Sequence, residues 1–350
     1  MRKYDVSKIG NVMESEIAEI PVVFQNLLDN PTQFSDLANL LNKSEIKSVL
    51  VLARGTSDNA AHFLKYLIET KLGLPVGLTS PSSVTIYKTK LNLKNTLVVA
   101  ISQSGQSTDL IEYAKAAQTS GALLVAMTND ESSPLAKSAD FHISLLAGKE
   151  LAVAATKSYA AQLLCSLLLV QTWLGDGATL TSIISEADRL VSDENLVTKA
   201  IAAAKFRDGE IVVLGRGFSY PNAREAALKI QETSKISVQG LSIADYMHGP
   251  ISALTAKTLV FIMAPKNFPL SSLKDDLAKI RSNSPKIIWI GSGELALPTE
   301  IVISGSDCGS EIYESIVDSI ALQRFALEFA RKNGLDPDSP AGLSKVTLTI

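Results

Sequence analysis

The chain has 350 residues, room for two or three domains at roughly 100–200 residues each. Hydrophobic residues make up 46% and charged residues 20%, an ordinary globular balance with ample core material. A net charge of −3 without any Lys/Arg run argues against nucleic acid as a partner, and the two cysteines, Cys165 and Cys308, exclude a disulfide framework and a Cys-based zinc site. The three histidines, His62, His142 and His248, show no metal-ligand spacing. The N-terminus, MRKYDVSKIG followed by the acidic MESEIAEI, has no apolar core of a signal peptide, and the composition fits a reducing cytoplasm. Ile9, Val12, Met13, Ile17, Ile20 and Phe24 fall near helical spacing and predict a helix that packs on the body of the protein or on a partner subunit.

Six apolar, β-branched runs bounded by Gly, Ser or Pro follow: Ser48–Ala53, Thr96–Ser102, Ala122–Thr128, Glu210–Gly215, Leu259–Ala264 and Lys286–Gly291. They are continuously apolar rather than alternating, as strands buried on both faces should be. Helix-length segments separate them, at Asp58–Leu72, Asp109–Ser120, Pro221–Lys235, Leu270–Ser282 and Glu311–Arg331. This alternation predicts an α/β fold with parallel sheets covered on both sides by helices. The apolar run Ala160–Leu174 is shorter than the ~20 residues a membrane span needs and reads as a buried core helix, so no membrane partner is expected. LVLARGTS (Leu50–Ser57) and VVLGRGFS (Val212–Ser219) are near-copies offset by 162 residues, which suggests a duplicated domain. The predicted organisation is a helical segment 1–44, a first α/β domain 45–195, a second 196–332 and a tail 333–350.

ISQSGQSTDL, Ile101–Leu110, is the strongest local signal. A buried strand ends at Ser102, a glycine and hydroxyl residues follow, and a helix begins. Unpaired N–H groups and the dipole at a helix N-terminus favour an anion there, and Ser102, Ser104 and Ser107 add hydroxyl donors. The loop has no lysine, so it lacks the Gly-Lys-Ser/Thr ending of a nucleotide P-loop, and it suits a sugar monophosphate. Helix capping by Ser107 or Thr108 is the plainer alternative, but it accounts for one or two of these residues rather than the set. Thr56 and Ser57 end the first strand, and in open α/β sheets ligands bind outside the carboxyl ends of strands; Ser57 could equally cap the following helix. In the second half, Glu225, Lys229 and Glu232 share one helical face, ordinarily a solvated one. His248 in DYMHGP sits in a turn that could present it for acid–base chemistry or hold it structurally. Lys345 follows a Pro-rich turn near the C-terminus, where a lysine is ordinarily just solvated.

Taken together, ARGTSDNA, ISQSGQSTDL, AGKELAVAATKSYA, LGRGFSYPNAREAALKIQETS, DYMHGP and GLSKVTLT resemble the paired sugar isomerase (SIS) domains, notably the isomerase half of the glutamine–fructose-6-phosphate aminotransferases. The likeness runs from about Lys47 to Ile350. It implies two tandem SIS domains, each a flavodoxin-like three-layer sheet. It also implies phosphate binding by Thr56, Ser57, Ser102, Gln103, Ser104 and Ser107, with Val153 lining the sugar site. By the same resemblance Glu232 is the base that shuttles a proton between C1 and C2, His248 is the ring-opening histidine contributed by the neighbouring subunit of a homodimer, and Lys345 lies at the reacting end of the sugar. Glu225 and Lys229 are a polar pair near that site. Arg54 stands where the aminotransferases have cysteine, Gln106 where they have glutamate and Ala155 where they have serine. With about 40 residues ahead of the first SIS domain, no glutaminase domain is expected. The resemblance therefore extends to the stand-alone amino-sugar-phosphate deaminases, which convert glucosamine 6-phosphate to fructose 6-phosphate and ammonia, and it implies chemistry that needs no metal and no organic cofactor, in agreement with the absence of metal-ligand spacing. Fructosamine-6-phosphate deglycases, aldose–ketose phosphate isomerases and sugar-phosphate-sensing regulators are the alternatives.

Overall fold

The computed structural model describes residues 9–177, 180–204 and 210–345. The chain forms two compact bodies. The first takes Val22–Glu150, Lys157–Thr179 and the chain from Ser344 onward. The second takes the N-terminal segment through Pro21, Leu151–Thr156 and Leu180–Leu343.

The first body holds β1 (Ser48–Leu52), β2 (Val76–Leu78), β3 (Thr96–Ser102), β4 (Leu123–Thr128) and β5 (Phe141–Ser144), all parallel, in the order β2-β1-β3-β4-β5. Every residue of β3 is buried, because this central strand meets helices on both faces. Val98 and Ala100 point to the face covered by Leu110, Tyr113, Ala114 and Ala117 of the helix Thr108–Thr119. The helix Thr56–Leu67 also packs on β1 and β3, and the almost wholly buried helix Lys157–Leu174 packs on it in turn. Burial around nearly the whole of that last helix marks it as a core element.

The second body repeats the plan with β6 (Ile211–Gly215), β7 (Val238–Ser242), β8 (Leu259–Ala264), β9 (Lys286–Gly291) and β10 (Ile301–Ser304), in the order β10-β9-β8-β6-β7. Numbered along each body, both sheets read 2-1-3-4-5, the flavodoxin-like order, as the duplicated Arg-Gly-x-Ser motif implies. One face of the second sheet carries Val212, Val260, Ile262 and Trp289 against Leu273, Leu277 and Ile280. On another side Phe261 meets Phe325 edge-on, with ring centroids 4.7 Å apart.

The helical segment expected at 1–44 contains three helices among its described residues, Asn11–Ala18, Ile20–Leu28 and Thr32–Asn42, so the helix expected over Ile9–Phe24 breaks into two. Asn11–Ala18 packs on Ser319–Lys332 in the second body, and Thr32–Asn42 packs on Lys157–Leu174 in the first. Thr181–Ser192 packs on Glu311–Val317 and Ser319–Lys332, so it belongs with the second sheet. The two bodies are thus drawn from non-contiguous stretches, whereas the sequence-based boundaries at 44, 195 and 332 divide the chain serially. Among the described residues no helix is long and apolar enough to cross a membrane.

One buried carboxylate in the second body has a measurable consequence. Asp318 is 1% exposed, and its Oδ1 accepts from Ser306 N (2.7 Å) and Ser306 Oγ (2.9 Å). Its Oδ2 has no partner among the described residues. Burial pushes its pKa up to about 7, above the ordinary aspartate value. A raised folded pKa means that the folded state binds the proton more tightly, so stability is greatest below the unfolded pKa and is lost as pH rises toward 7. Between pH 5 and pH 8, Asp318→Asn should therefore gain roughly 2–4 kcal/mol of unfolding free energy relative to the parent. Urea unfolding at the two pH values measures this, and an equal pH slope in the two proteins would refute it.

Candidate active site

At the first sheet the strand order reverses between β1 and β3, so the turns after these strands flank the crevice where doubly wound folds bind ligands. β1 ends with Leu52 opposite Ala100, which places the turn Arg54–Thr56 beside the turn that begins at Ser102. Gly55 has φ 56° and ψ −132°, a conformation that a side chain would oppose. In the second turn Gly105 has φ 61°, and a Cβ there would lie 2.2 Å from Ser133 Oγ, so both conformation and space require glycine.

The serines are not spent on capping. Ser107 occupies the N-cap position but makes no side-chain cap bond. Ser102 Oγ accepts from Gly105 N (3.1 Å) and Ser104 Oγ accepts from Gln106 N (3.3 Å), which leaves each hydroxyl proton to be donated. The N–H groups of Ser104, Ser107 and Thr108 have no acceptor among the described residues. Gln103 is half-buried, and its carbonyl accepts from Asn129 N, tying the turn to β4. Ser57 is buried at the start of the neighbouring helix and does not cap it; its Oγ accepts from Gln162 Nε2 at 2.9 Å. Thr56, partly exposed, opens that helix. The first body thus gathers all six predicted phosphate residues at two adjacent turns and the start of the helix that follows the first of them.

In the second body the face bearing Glu225, Lys229 and Glu232 is not solvated. Glu225 and Lys229 are 0% and 1% exposed, because the helix Tyr220–Ser234 packs against β6, β7 and Ser319–Lys332. Lys229 Nζ lies 3.5 Å from Glu225 Oε1 and 2.5 Å from Glu232 Oε2. Glu232 is 23% exposed, and its Oε1 has no partner among the described residues. A buried ammonium therefore pins one oxygen of a carboxylate and leaves the other to accept a proton. His248 follows the short helix Ile243–Met247, with its backbone N–H donating to Asp245 O. Its ring is exposed and unpartnered among the described residues. Val153 lies in the segment Leu151–Thr156, where its N–H donates to Asp338 O (3.1 Å). Glu16 of the N-terminal helix accepts from Leu151 N and Ala152 N, and Asp338 accepts from Val12 N and Met13 N. The N-terminal helix thus anchors the strand of chain that carries Val153.

Lys345 is held in the first body rather than left in solvent. Its Nζ lies 3.0 Å from Oε2 of Glu150, whose side chain is fully buried and also accepts from Ser158 N (3.1 Å) and Ser158 Oγ (2.7 Å). Glu150 was not singled out by the sequence, although it lies within the AGKELAVAATKSYA segment. A glutamate beside a lysine in a turn carries no sign of burial, and only its partners reveal its role. Among the described residues no group of three or more His, Cys, Asp or Glu is placed to hold a metal ion.

The profile of the SIS domain matches residues 43–171 and 206–296, more than half of the chain. The glutamine–fructose-6-phosphate aminotransferase [isomerizing] of Aquifex aeolicus is 29% identical over 349 residues, covering 97% of this chain and 57% of that protein. The chain therefore spans little more than half the length of the curated relatives it matches. A Silicibacter pomeroyi structure, provisionally assigned as a phosphosugar isomerase, matches with a TM-score of 0.82 at 30% identity, covering 93% of this chain and 99% of that one. The glucosamine-6-phosphate deaminase of Thermotoga maritima shares the fold with a TM-score of 0.75 at 21% identity, over 97% of this chain and 99% of that one. The chain belongs to the SIS domain family, and its relatives are the isomerase halves of the glutamine–fructose-6-phosphate aminotransferases.

Proposed function

We propose that the protein is an amino-sugar-phosphate deaminase that converts glucosamine 6-phosphate, or a close relative, to fructose 6-phosphate and ammonia. The observation that carries this reading is Glu232, a carboxylate with one oxygen pinned by buried Lys229 and the other unpartnered, the state a general base requires. The unpaired N–H groups and free hydroxyl protons of the Ser102–Ser107 turn support phosphate binding, with Gln103 in that turn and Thr56 and Ser57 at the helix start beside it. Binding energy at the phosphate positions the reacting carbons. His248 assists ring opening, Glu232 takes the proton from C2 and returns it to C1 through an enolamine, and water hydrolyses the resulting C2 imine with release of ammonia. Lys345 serves the reacting end of the sugar, and Val153, Glu225 and Lys229 line or support it. The exposed, unpartnered ring of His248 suits a group delivered to a neighbouring subunit, and we take the active unit to be a homodimer in the cytoplasm.

An ammonia-release assay across glucosamine, galactosamine and fructosamine 6-phosphates tests the reading. Release from glucosamine 6-phosphate with stoichiometric fructose 6-phosphate is the expected result. Ammonia from none of the three would overturn it, and free amino acid or amine released from a fructosamine phosphate would reassign the chemistry to a deglycase.

A further inference from the structure

Arg54 and Arg216 are twins in the duplicated motif, and each pairs with an aspartate in the first turn of the helix that follows the third strand of its sheet. Arg54 Nε lies 2.9 Å from Asp109 Oδ2, and Arg216 Nη1 lies 3.8 Å from Asp276 Oδ2. The recurrence identifies the Arg–Asp pair as part of the fold, joining the turn after the first strand to the helix after the third. The surroundings differ. In the second body an internal anion occupies the turn after β8: the fully buried carboxylate of Glu314 accepts from Asn267 N (2.8 Å), Asn267 Nδ2 (2.5 Å) and Cys308 N (3.3 Å). In the first body the corresponding turn keeps the N–H groups of Ser104, Ser107 and Thr108 without an acceptor among the described residues.

Arg54 itself is only half committed. Asp109 is 2% exposed, its Oδ1 accepts from Leu110 N (2.9 Å), and its Oδ2 fixes the guanidinium through Nε alone. Arg54 remains half-exposed, and its two Nη groups have no partner among the described residues. A guanidinium held by Nε presents its Nη pair as a planar fork suited to two oxygens of one anion. The Ser102–Ser107 turn offers only neutral donors, whereas a phosphate monoester brings a charge near −2 at neutral pH.

We propose that Arg54 is the counter-charge of the phosphate site, taking the substrate's phosphate through its Nη pair and making the dianionic ester, rather than the bare sugar, the preferred ligand. This rests on the phosphate reading of the Ser102–Ser107 turn given above. Arg216 supplies an internal control, since it shares the Arg–Asp pairing in a body whose turn is already filled by Glu314.

The test is calorimetric titration of inorganic phosphate into the full chain. Arg54→Gln should weaken phosphate binding roughly 10- to 100-fold, the loss of one or two charge-assisted hydrogen bonds. Arg216→Gln should leave the affinity unchanged. Arg54→Lys keeps the charge without the fork and should lie between parent and Arg54→Gln; it also serves as the informative variant if Arg54→Gln does not fold. Parental affinity in a folded Arg54→Gln, or in Arg54→Lys where Arg54→Gln does not fold, would reduce Arg54 to a structural brace and overturn the proposal, as would an equal loss in Arg216→Gln. Failure of the parent chain to bind phosphate would overturn the phosphate reading itself, a result separable from the others because it precedes any substitution.

Discussion

In a Glu232→Gln variant, turnover should fall by roughly 10²–10⁴-fold while KM moves little, the signature of a lost general base. The amide is nearly isosteric and its oxygen can still accept from Lys229, so the helix Tyr220–Ser234 keeps its packing. The lost property is basicity at the unpartnered oxygen. A substrate deuterated at C2 sharpens the test, because proton abstraction then becomes directly visible as label lost to water or carried to C1. Retained binding with abolished label transfer is the expected pattern. Full turnover in the glutamine variant would remove Glu232 from the chemistry, and undiminished biological function without turnover would favour a sugar-phosphate sensor.

The sequence showed the interior of this fold far better than its margins. All six strands read from apolar runs are present, and they are the three inner strands of each sheet. The four strands it missed, β2, β5, β7 and β10, are the outer ones. An inner strand of a doubly covered parallel sheet must be apolar throughout. An outer strand has one neighbour and a partly solvated side, so its composition resembles that of a loop. Val76–Leu78 is three residues long, and in Val238–Ser242 only Val238 is buried. The same blindness to tertiary context affected the site. Glu225 and Lys229 have the spacing of a solvated pair, and nothing local distinguishes them from one. Their burial follows from Ser319–Lys332, nearly a hundred residues later, packing across the helix. The Ser102–Ser107 turn was legible because its chemistry is local: glycine forced by φ and by Ser133, hydroxyls in series, and a helix start.

Lys229→Met should be the most destabilising single change in the candidate site. The substitution keeps an unbranched chain of similar length in a well-packed position, so little cavity forms. It removes the cation that lies between two carboxylates, so fully buried Glu225 and Glu232 both lose their contact with that ammonium. Breaking a buried pair in this way costs about 3–5 kcal/mol, far more than the few tenths that a solvated i,i+4 pair contributes. Urea midpoints of the parent and the variant measure the loss. Glu225→Gln combined with Lys229→Met removes charge from both partners and should recover much of the stability, yet turnover should stay low, because Glu232 has still lost the ammonium that fixes its orientation. Recovery of stability together with turnover would mean that the buried lysine serves the fold alone. A single Lys229→Met variant as stable as the parent would mean that the buried ammonium contributes nothing to the stability of this helix face.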